Sequence, residues 1–340
     1  KHGWPHVGTW EVDTNRFPNG LRAVSDYAHA RGVRTIVWFE PERVAADTWL
    51  SNTHPEWIHG GASGGLLKLG EPVVLEWLTN HVDKLLVEQG VDLYRQDFNM
   101  DPLDSWRAND LPDRQGIAEI RHVVNYLAYW GELRRRHPDM LIDSCASGGR
   151  RNDLETLRRA VPLLRSDYLL EPISQQNHTY GIAFWIPFYG TGVNQFDAYG
   201  FRSCICPHIT ACYDMRRHDQ DYGEVRRLHR QWRQEIAPNY WGDYYPLTPY
   251  SIDDNVWTAW QFDRPESGQG VVQAFRRPKS EETGTLFKLR GLDLQARYRL
   301  ADLDTNRMWT LPGRELLEQG LRVETDKRPD AVIVTYERID

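Results

Sequence analysis

The sequence has no excess of basic residues and no long apolar run. Its 340 residues contain 41 Lys and Arg against 48 Asp and Glu, for a formal net charge of −7. A basic block that could follow a phosphate backbone is therefore missing, which argues against nucleic-acid binding. No apolar stretch approaches the length that crosses a bilayer. We expect neither a nucleic acid nor a membrane as a partner.

Cysteine is also scarce, and its spacing does not indicate a metal site. The four cysteines are Cys145, Cys204, Cys206 and Cys212, and no two of them form a Cys-x-x-Cys pair. The histidines lack the spacing of a zinc-binding helix, so structural or surface roles are the simpler interpretation. A chain of this length needs no disulfide framework to hold its core. We predict free thiols and no bound metal.

Nucleotide-binding signatures are missing as well, although strand and helix patterns alternate over roughly the first 235 residues. No Gly-x-Gly-x-x-Gly follows a strand, and the glycine pair at 148–149 lacks the ending of a P-loop. Repeated strand–helix units are typical of parallel α/β folds. We predict an α/β fold in which residues 1–245 form a catalytic (β/α)8 TIM barrel. The strands predicted within it are 33–39, 65–69, 91–98, 140–145 and 161–166, and the longest helices are 72–88, 115–136 and 216–232.

The pattern changes after about residue 246, where short alternating runs are separated by turn-rich breaks. Such a series predicts a small C-terminal antiparallel β-sandwich domain in residues 246–340. The strands expected there are 256–262, 270–275, 285–289, 297–302 and 331–336.

Aromatic residues are abundant, with 14 Trp, 16 Tyr and 10 Phe. Core packing explains most of them. Flat aromatic faces also stack on the C–H faces of sugars, so the same composition suits a carbohydrate site.

Two aspartates end predicted strands of the barrel. Asp97 closes the strand at 91–98, and Asp167 follows the strand at 161–166. Chemistry in such barrels takes place at the carboxyl ends of the strands, so both side chains are expected in one cavity. Two facing carboxylates can break a glycosidic bond, one as nucleophile and the other as acid/base. The alternatives are a structural ion pair for Asp97 and a helix N-cap for Asp167.

Two neighbouring features support a site at this place. Side chains alternate along a strand, so Arg95, Asp97 and Asn99 project the same way, and a guanidinium beside Asp97 favours its ionised form. The loop at 143–153 contains Gly148 and Gly149, which let the backbone approach a ligand closely. The same glycines also suit a tight turn into the next helix.

Several segments together resemble the melibiase family, the retaining α-galactosidases of glycoside hydrolase family 36. The resemblance covers about residues 8–200. Its segments are Gly8-Thr9-Trp10, Phe17-Pro18-Asn19-Gly20-Leu21, Trp38-Phe39-Glu40-Pro41-Glu42-Arg43-Val44, the strand ending in Asp97, the loop at 144–153 and Arg165-Ser166-Asp167.

The resemblance implies retaining cleavage of terminal α-galactosidic bonds without a metal ion or an organic cofactor. It makes Asp97 the nucleophile and Asp167 the acid/base. The implied substrate is an α-galactoside oligosaccharide or glycoconjugate. The substrate-binding residues that it implies are a stacking tryptophan, an arginine of the Asp97 strand and two residues of the glycine loop: Trp38, Arg95, Cys145 and Gly148. We add Asn99 as a substrate-binding residue because it projects on the same side as Asp97.

The sequence departs from the family at three positions near these segments. Gln96 stands where the family has Trp, and Asn52 stands where it has Arg. The family pattern Ser-Asp-x-Thr-Asp is matched only in its Ser-Asp, because Tyr168 and the residues after it do not continue it. These changes concern specificity, so an α-N-acetylgalactosaminidase or another α-glycosidase of the same fold is an alternative. An alternative of another class is a non-catalytic carbohydrate-binding barrel.

The family also has an N-terminal β-sandwich and a first barrel strand ending in two adjacent aspartates, which this sequence lacks. The chain begins at Lys1 without an initiator methionine or a leader pattern. We therefore expect the first barrel strand to be missing and the chain to be part of a longer protein. Association with another chain or formation of a homo-oligomer is the other expectation.

Overall fold

The computed structural model describes residues 6–169, 171–305 and 307–339. The expectation about how the chain begins concerns residues 1–4, which lie outside the described residues. The structure divides into two compact units, Lys1–Asp167 and Tyr168–Asp340. The domain boundary predicted between residues 245 and 246 stays a prediction.

Helices and strands alternate in the first unit. Its helices are α1 (Arg22–His29), α2 (Trp49–Thr53), α3 (Pro72–Gln89), α4 (Leu103–Asn109), α5 (Ile117–Arg136) and α6 (Leu154–Leu157). Its strands are β1 (Ile36–Phe39), β2 (Arg43–Ala45), β3 (Gly64–Leu66), β4 (Leu93–Gln96) and β5 (Leu141–Ser144). Short 3-10 turns lie at Pro55–Trp57 and Gly61–Ser63.

A parallel sheet in the order β1–β4–β5 is the centre of this unit. Trp38 on β1 lies opposite Arg95 on β4, and Arg95 lies opposite Asp143 on β5. A single bridge from Asp143 to Val161 carries the pairing to one further segment. All four segments run the same way, so their carboxyl ends meet along one edge.

The two longest helices bury apolar side chains against this sheet. Leu78 on α3 and Tyr129 and Trp130 on α5 are almost wholly buried in one core with Tyr94 and Ile142 of the strands. Each such side chain contributes roughly 1.5–3 kcal/mol through burial.

The boundaries of α3 follow from its sequence. Pro72 occupies the first turn, where its missing N–H costs nothing. Gly90 ends the helix with a φ of 64°, a left-handed conformation that suits glycine. The helix predicted at 72–88 is thereby confirmed.

Two strands predicted in this unit are corrected. Gly64–Leu66 pairs antiparallel with Arg43–Ala45, so the segment predicted as barrel strand 65–69 belongs to an excursion after β1. The strand predicted at 161–166 reduces to the bridge at Val161. Pro162 has no N–H to donate, and the N–H of Leu163 donates to the Asp143 carboxylate at 2.9 Å instead of to a neighbouring strand.

The second unit begins with mixed helices and strands. These elements are α7 (Pro172–Ile182), β6 (Gly190–Val193), α8 (Ala198–Cys204), β7 (His208–Ala211) and α9 (Tyr222–Gln231), which continues as a π-helical turn at Trp232–Ile236 and a 3-10 turn at Ala237–Trp241. Strands β6 and β7 pair in parallel across α8. The helix predicted at 216–232 begins six residues later, at Tyr222.

The end of the second unit is antiparallel. Its elements are β8 (Asp243–Pro246), β9 (Trp257–Arg264), β10 (Gln269–Arg276), β11 (Gly284–Phe287), β12 (Arg297–Asp302), β13 (Met308–Pro312), α10 (Gly313–Glu318), β14 (Leu321–Glu324) and β15 (Asp330–Arg338). Six strands form a sheet in the order β13–β12–β15–β10–β9–β8, and β11 pairs with β14. Ala259, Val272, Leu300, Leu316 and Val334 share its core. All five strands predicted in this region are confirmed.

Candidate active site

Asp97 lies at the carboxyl edge of the parallel sheet, directly after β4. Its N–H donates to the carbonyl of Phe39 at 2.8 Å, and the N–H of Cys145 donates to the carbonyl of Gln96 at 2.8 Å. Pairing of β4 with both neighbours therefore continues up to this residue. The Asp97 side chain is only 8% exposed, and its position is fixed from both sides.

Three N–H groups converge on the Asp97 carboxylate. The indole Nε1 of Trp38 donates to Oδ2 at 3.2 Å, while the backbone N–H groups of Phe98 and Ser147 donate to Oδ1 at 2.7 and 3.1 Å. Burial raises the pKa of Asp97, but hydrogen bonds from Asn99, Phe98 and Ser147 outweigh it and leave the pKa below its usual value. The carboxylate is therefore ionised at neutral pH.

The glycine loop after β5 contacts both predicted acidic residues. Ser147 supplies an N–H to Asp97, and Gly148 packs against Asp167. A Cβ at Gly148 would lie 3.0 Å from the Asp167 nitrogen and 3.5 Å from its carboxyl carbon. Gly148 also has a φ of +83°, so both its backbone and its surroundings require glycine. Asp167 itself is exposed, in contrast to the buried Asp97.

The Cys145 thiol lies close to both carboxylates. Burial, followed by the charge of Asp97, raises the pKa of Cys145 to about 12, and the charge of Asp167 acts in the same direction. The thiol is therefore neutral. The structure thus brings together Asp97, Asp167, Trp38, Asn99, Cys145 and Gly148.

The position of Arg95 on β4 suggests an interaction with Asp97, but its ion-pair partner in the structure is Asp143. Its guanidinium pairs with Asp143 on the neighbouring strand, so the side chain proposed to favour ionised Asp97 is engaged by another carboxylate. Burial raises the pKa of Asp143, and the charge of Arg95 opposes that effect. The hydrogen bonds that lower the pKa of Asp97 come instead from amide groups and from the Cys145 side chain.

Two glutamates of the Trp-Phe-Glu-Pro-Glu segment have roles that the sequence interpretation missed. Glu40 is fully buried, accepts two hydrogen bonds from Arg43 at 2.8 and 2.6 Å, and accepts one from the N–H of Asn99 at 2.6 Å. It thereby fixes the segment after Asp97. The signal that could have identified it is two carboxylates directly after a buried strand.

Glu42 is also fully buried and accepts hydrogen bonds from three side chains. Arg151 donates twice at 2.6 Å, and Gln96 Nε2 and His122 Nε2 each lie 2.7 Å away. Burial raises the pKa of Glu42, but the charge and hydrogen bonds of Arg151 and the His122 contact bring it far below its usual value.

The departure at Gln96 belongs to this buried cluster. Gln96 accepts hydrogen bonds from Tyr94 and Trp130, each at 2.7 Å, and donates to Glu42. It faces away from Asp97, as alternation along a strand requires. Asn52, the second position at which the sequence departs from the family, is an exposed residue of α2. Of the Tyr168–Glu171 departure, residue 170 lies outside the described residues.

The described residues also bear on metal binding and on membrane insertion. No group of three or more His, Cys, Asp or Glu side chains among them is arranged to hold a metal ion. No helix in the described part of the chain combines the length and apolar character needed to cross a membrane.

Comparisons with known proteins find glycoside hydrolase family models and α-galactosidases that are similar to this chain. The sequence model of the Melibiase family matches residues 4–194, and that of the glycosyl hydrolase family 36 C-terminal domain matches residues 257–335. α-Galactosidase Mel36A of Lactobacillus acidophilus is 25% identical over 336 residues, covering 92% of this chain and 45% of the relative. The chain thus spans less than half the length of that relative.

Solved structures of the α-galactosidase AgaA of Geobacillus stearothermophilus share the fold. The complex with raffinose has a TM-score of 0.83 and the complex with stachyose one of 0.84. Each is 18% identical and matches 98% of this chain and 49% of the solved chain. These likenesses confirm the predicted fold class, a TIM barrel followed by a C-terminal antiparallel β domain.

Proposed function

The chain belongs to the melibiase family of glycoside hydrolase family 36, and from this membership we propose that it carries the site of a retaining hydrolase of terminal α-galactosidic bonds. The observation that carries the proposal is the buried Asp97 carboxylate. Three N–H donors hold it in its ionised form, and the glycine loop that supplies one donor also contacts Asp167.

In the first proposed step Asp97 attacks the anomeric carbon of the galactoside. A bond forms from its carboxylate oxygen to C1 while the bond from C1 to the leaving oxygen breaks. Asp167 gives its proton to that leaving oxygen. The N–H donors hold Asp97 in position before the reaction. Less entropy is therefore lost on reaching the transition state, which lowers the activation free energy.

In the second proposed step Asp167 acts as a base. It removes a proton from water, the water oxygen bonds to C1, and the bond from C1 to Asp97 breaks. Two inversions give net retention. Because Asp167 is exposed, water can reach it, whereas Asp97 is shielded. Retaining chemistry requires the two carboxyl groups to lie about 5–5.5 Å apart with substrate bound.

The proposed sugar contacts lie around this pair. Trp38 offers an aromatic face, and Arg95 and Asn99 offer polar groups on the same side of β4. Cys145 and Gly148 form the wall near C2 of the sugar. The substrate class is an α-galactoside oligosaccharide or glycoconjugate, in keeping with the raffinose and stachyose bound by the AgaA relatives.

Replacement of Asp97 by Asn tests the assignment in the full-length protein. The amide cannot attack C1, so turnover of an aryl α-galactoside should fall by several orders of magnitude. Asp113→Asn is the control, because Asp113 is 81% exposed, and it should keep the activity of the parent. Unchanged turnover in Asp97→Asn would contradict the proposal.

Two further measurements separate the alternatives. A panel of aryl α-glycosides distinguishes galactose from N-acetylgalactosamine specificity, and NMR of the first-formed anomer reports retention. A carbohydrate-binding barrel without activity would show saturable binding in calorimetry and no product with any member of the panel.

A further inference from the structure

We propose that Arg150 and Arg151 are positioning residues for Asp97, an inference that rests on the proposed function. The two arginines lie in the glycine loop, directly after Gly148 and Gly149. They connect the segment after β4 to the segment after β5. These two segments supply the backbone N–H groups of Phe98 and Ser147 that bind Asp97 Oδ1.

Arg151 is fixed on several sides. Both of its terminal nitrogens donate to the buried Glu42 at 2.6 Å. Its guanidinium carbon lies 4.7 Å from the ring centroid of Phe98 and 4.1 Å from that of Tyr126. A cation between two aromatic rings and a carboxylate has little freedom. The ring of Phe98, whose N–H binds Asp97, is therefore held by Arg151.

Arg150 connects the backbones of the same two segments. Its Nη2 donates to the carbonyls of Phe98 at 2.9 Å and Met100 at 3.1 Å, and its Nε donates to the carbonyl of Ala146 at 3.0 Å. One planar group thus sets the distance between the residue after Asp97 and the residue before Ser147.

This arrangement needs arginine at both positions. The guanidinium is planar and presents five donors in a fixed fork, whereas a lysine ammonium is a point charge on a flexible stem. Lysine at 151 would keep the charge beside Glu42 but lose the paired hydrogen bonds and the flat contact with Phe98. The donors of Asp97 would then be less well fixed.

Other charged or titratable groups also face Asp97. These are Arg43, Arg95, Asp143 and the thiol of Cys145. The two arginines keep their charge over the working pH range, and the thiol stays neutral. Asp143 is bound by Arg95 and by the N–H of Leu163, which replacement of Arg151 leaves in place. The acid limb is the fall of kcat/KM towards low pH. If titration of Asp143 caused it, the acid limb would therefore be the same in the parent and in a variant without Arg151.

The test compares kcat and kcat/KM for an aryl α-galactoside between pH 3 and 7 in the full-length parent and in Arg151→Lys. We expect kcat to fall about 100-fold in the variant, the effect of a small misplacement of reacting groups. We also expect the acid limb to move upward by about one pH unit, because the ionised form of Asp97 loses stabilisation. Circular dichroism at each pH checks that the variant is folded.

Two further variants make the outcome decisive. Arg202→Lys alters a different buried arginine, 1% exposed and paired with Asp304, and should leave the acid limb unchanged. Phe98→Leu removes the ring that Arg151 contacts while keeping the N–H donor. Phe98→Leu should move the acid limb upward by less than Arg151→Lys does. If Arg151→Lys does not fold, the result with Phe98→Leu tests the positioning role instead.

The possible failures are distinguishable. If the parent and Asp97→Asn turn over the substrate equally, the proposed function is wrong and the positioning role falls with it. If Asp97→Asn is inactive while a folded Arg151→Lys, or Phe98→Leu in its place, keeps the parent's acid limb, only the positioning role is wrong.

Discussion

Gly148 shows how one missing side chain determines the site. A φ of +83° is unfavourable for residues with a Cβ, and the space where a Cβ would stand is bordered by the nitrogen and carboxyl carbon of Asp167. The loop can therefore contact Asp97 through Ser147 and approach Asp167 only if residue 148 is glycine.

Gly148→Ala should harm both stability and activity. A left-handed conformation costs a residue with a Cβ roughly 1–2 kcal/mol, and Asp167 must move to accommodate the methyl group. Displacement of Asp167, the proposed acid/base, by up to about 1 Å should lower kcat by up to about 100-fold. Urea unfolding and steady-state kinetics measure the two effects.

The control for that change is Gly131→Ala. Gly131 lies inside α5, and a Cβ there would have no heavy atom within 4 Å. Alanine should stabilise the helix by up to about 1 kcal/mol and leave kcat unchanged. Equal activity of Gly148→Ala and the parent would show that the loop tolerates a side chain and that its contact with Asp167 is unimportant.

Single residues differ in how far the sequence could predict them. Asp97 and Gly148 follow strand ends, and strand position alone places them at the carboxyl edge of the sheet. Glu42 follows a strand in the same way, but its role depends on Arg151, which lies 109 residues further along the chain. The partner of Arg95 likewise depends on register, because Asp143 lies on the neighbouring strand. Pairings between distant segments cannot be read from local pattern.

Among the elements, α8 is anchored by an ion pair between a buried arginine and a partly exposed aspartate. Arg202 on this helix is 1% exposed and donates to both oxygens of Asp304 at 2.5 and 2.6 Å. It also donates to the carbonyl of Ala331 at 2.6 Å and to Gln231 at 2.8 Å. Helix α8 is thereby connected to α9 and to the antiparallel sheet within the second unit.

Asp304→Ala should destabilise the second unit. The substitution leaves the guanidinium of Arg202 buried without its carboxylate, a change that typically costs 3–5 kcal/mol in a fully buried pair. Asp304 is 37% exposed, so water replaces part of the interaction and we expect roughly 2 kcal/mol. Denaturant unfolding measures the loss in free energy of unfolding.

The matched control is Asp254→Ala, which removes an exposed ion pair with Lys279. The side chains are 42% and 73% exposed, so the free energy of unfolding should change by less than about 0.5 kcal/mol. A similar small change in Asp304→Ala would mean that Arg202 is well solvated without its carboxylate.

Elements bounded by local signals were predictable, and those bounded by tertiary pairing were not. Pro72 and Gly90 mark the two ends of α3 in the sequence itself. The apolar run at 161–166 resembles a strand, yet Pro162 and the donation of the Leu163 N–H to Asp143 prevent a ladder. The segment at 65–69 is strand-like, but its antiparallel partner Arg43–Ala45 is part of the loop after β1.

At the scale of the whole molecule, composition bears on the class of ligand more than on its identity. A net charge of −7 gives no attraction for polyanions, whereas an uncharged sugar needs no electrostatic steering. The alternation of strands and helices, together with the lack of a dinucleotide-binding signature, predicted the barrel. The series of short alternating runs after residue 246 predicted the β domain, and the AgaA structures share both parts. The proposed galactose specificity would depend on residues such as Trp38 and Cys145, whose positions composition does not determine.

Cysteine chemistry gives a test that involves the whole chain. The four cysteines all lie among the described residues and form no disulfide there, with Cys145, Cys204 and Cys206 buried and Cys212 exposed. Burial raises the pKa of Cys212, which slows its reaction without blocking access. We expect one thiol to react with a disulfide reagent in the native protein and all four in denaturant.

A reductant should leave the unfolding temperature unchanged, because no disulfide constrains the unfolded chain. Fewer than four thiols in denaturant without reductant, or a lower unfolding temperature with it, would show that a disulfide forms and that the predicted free thiols are wrong.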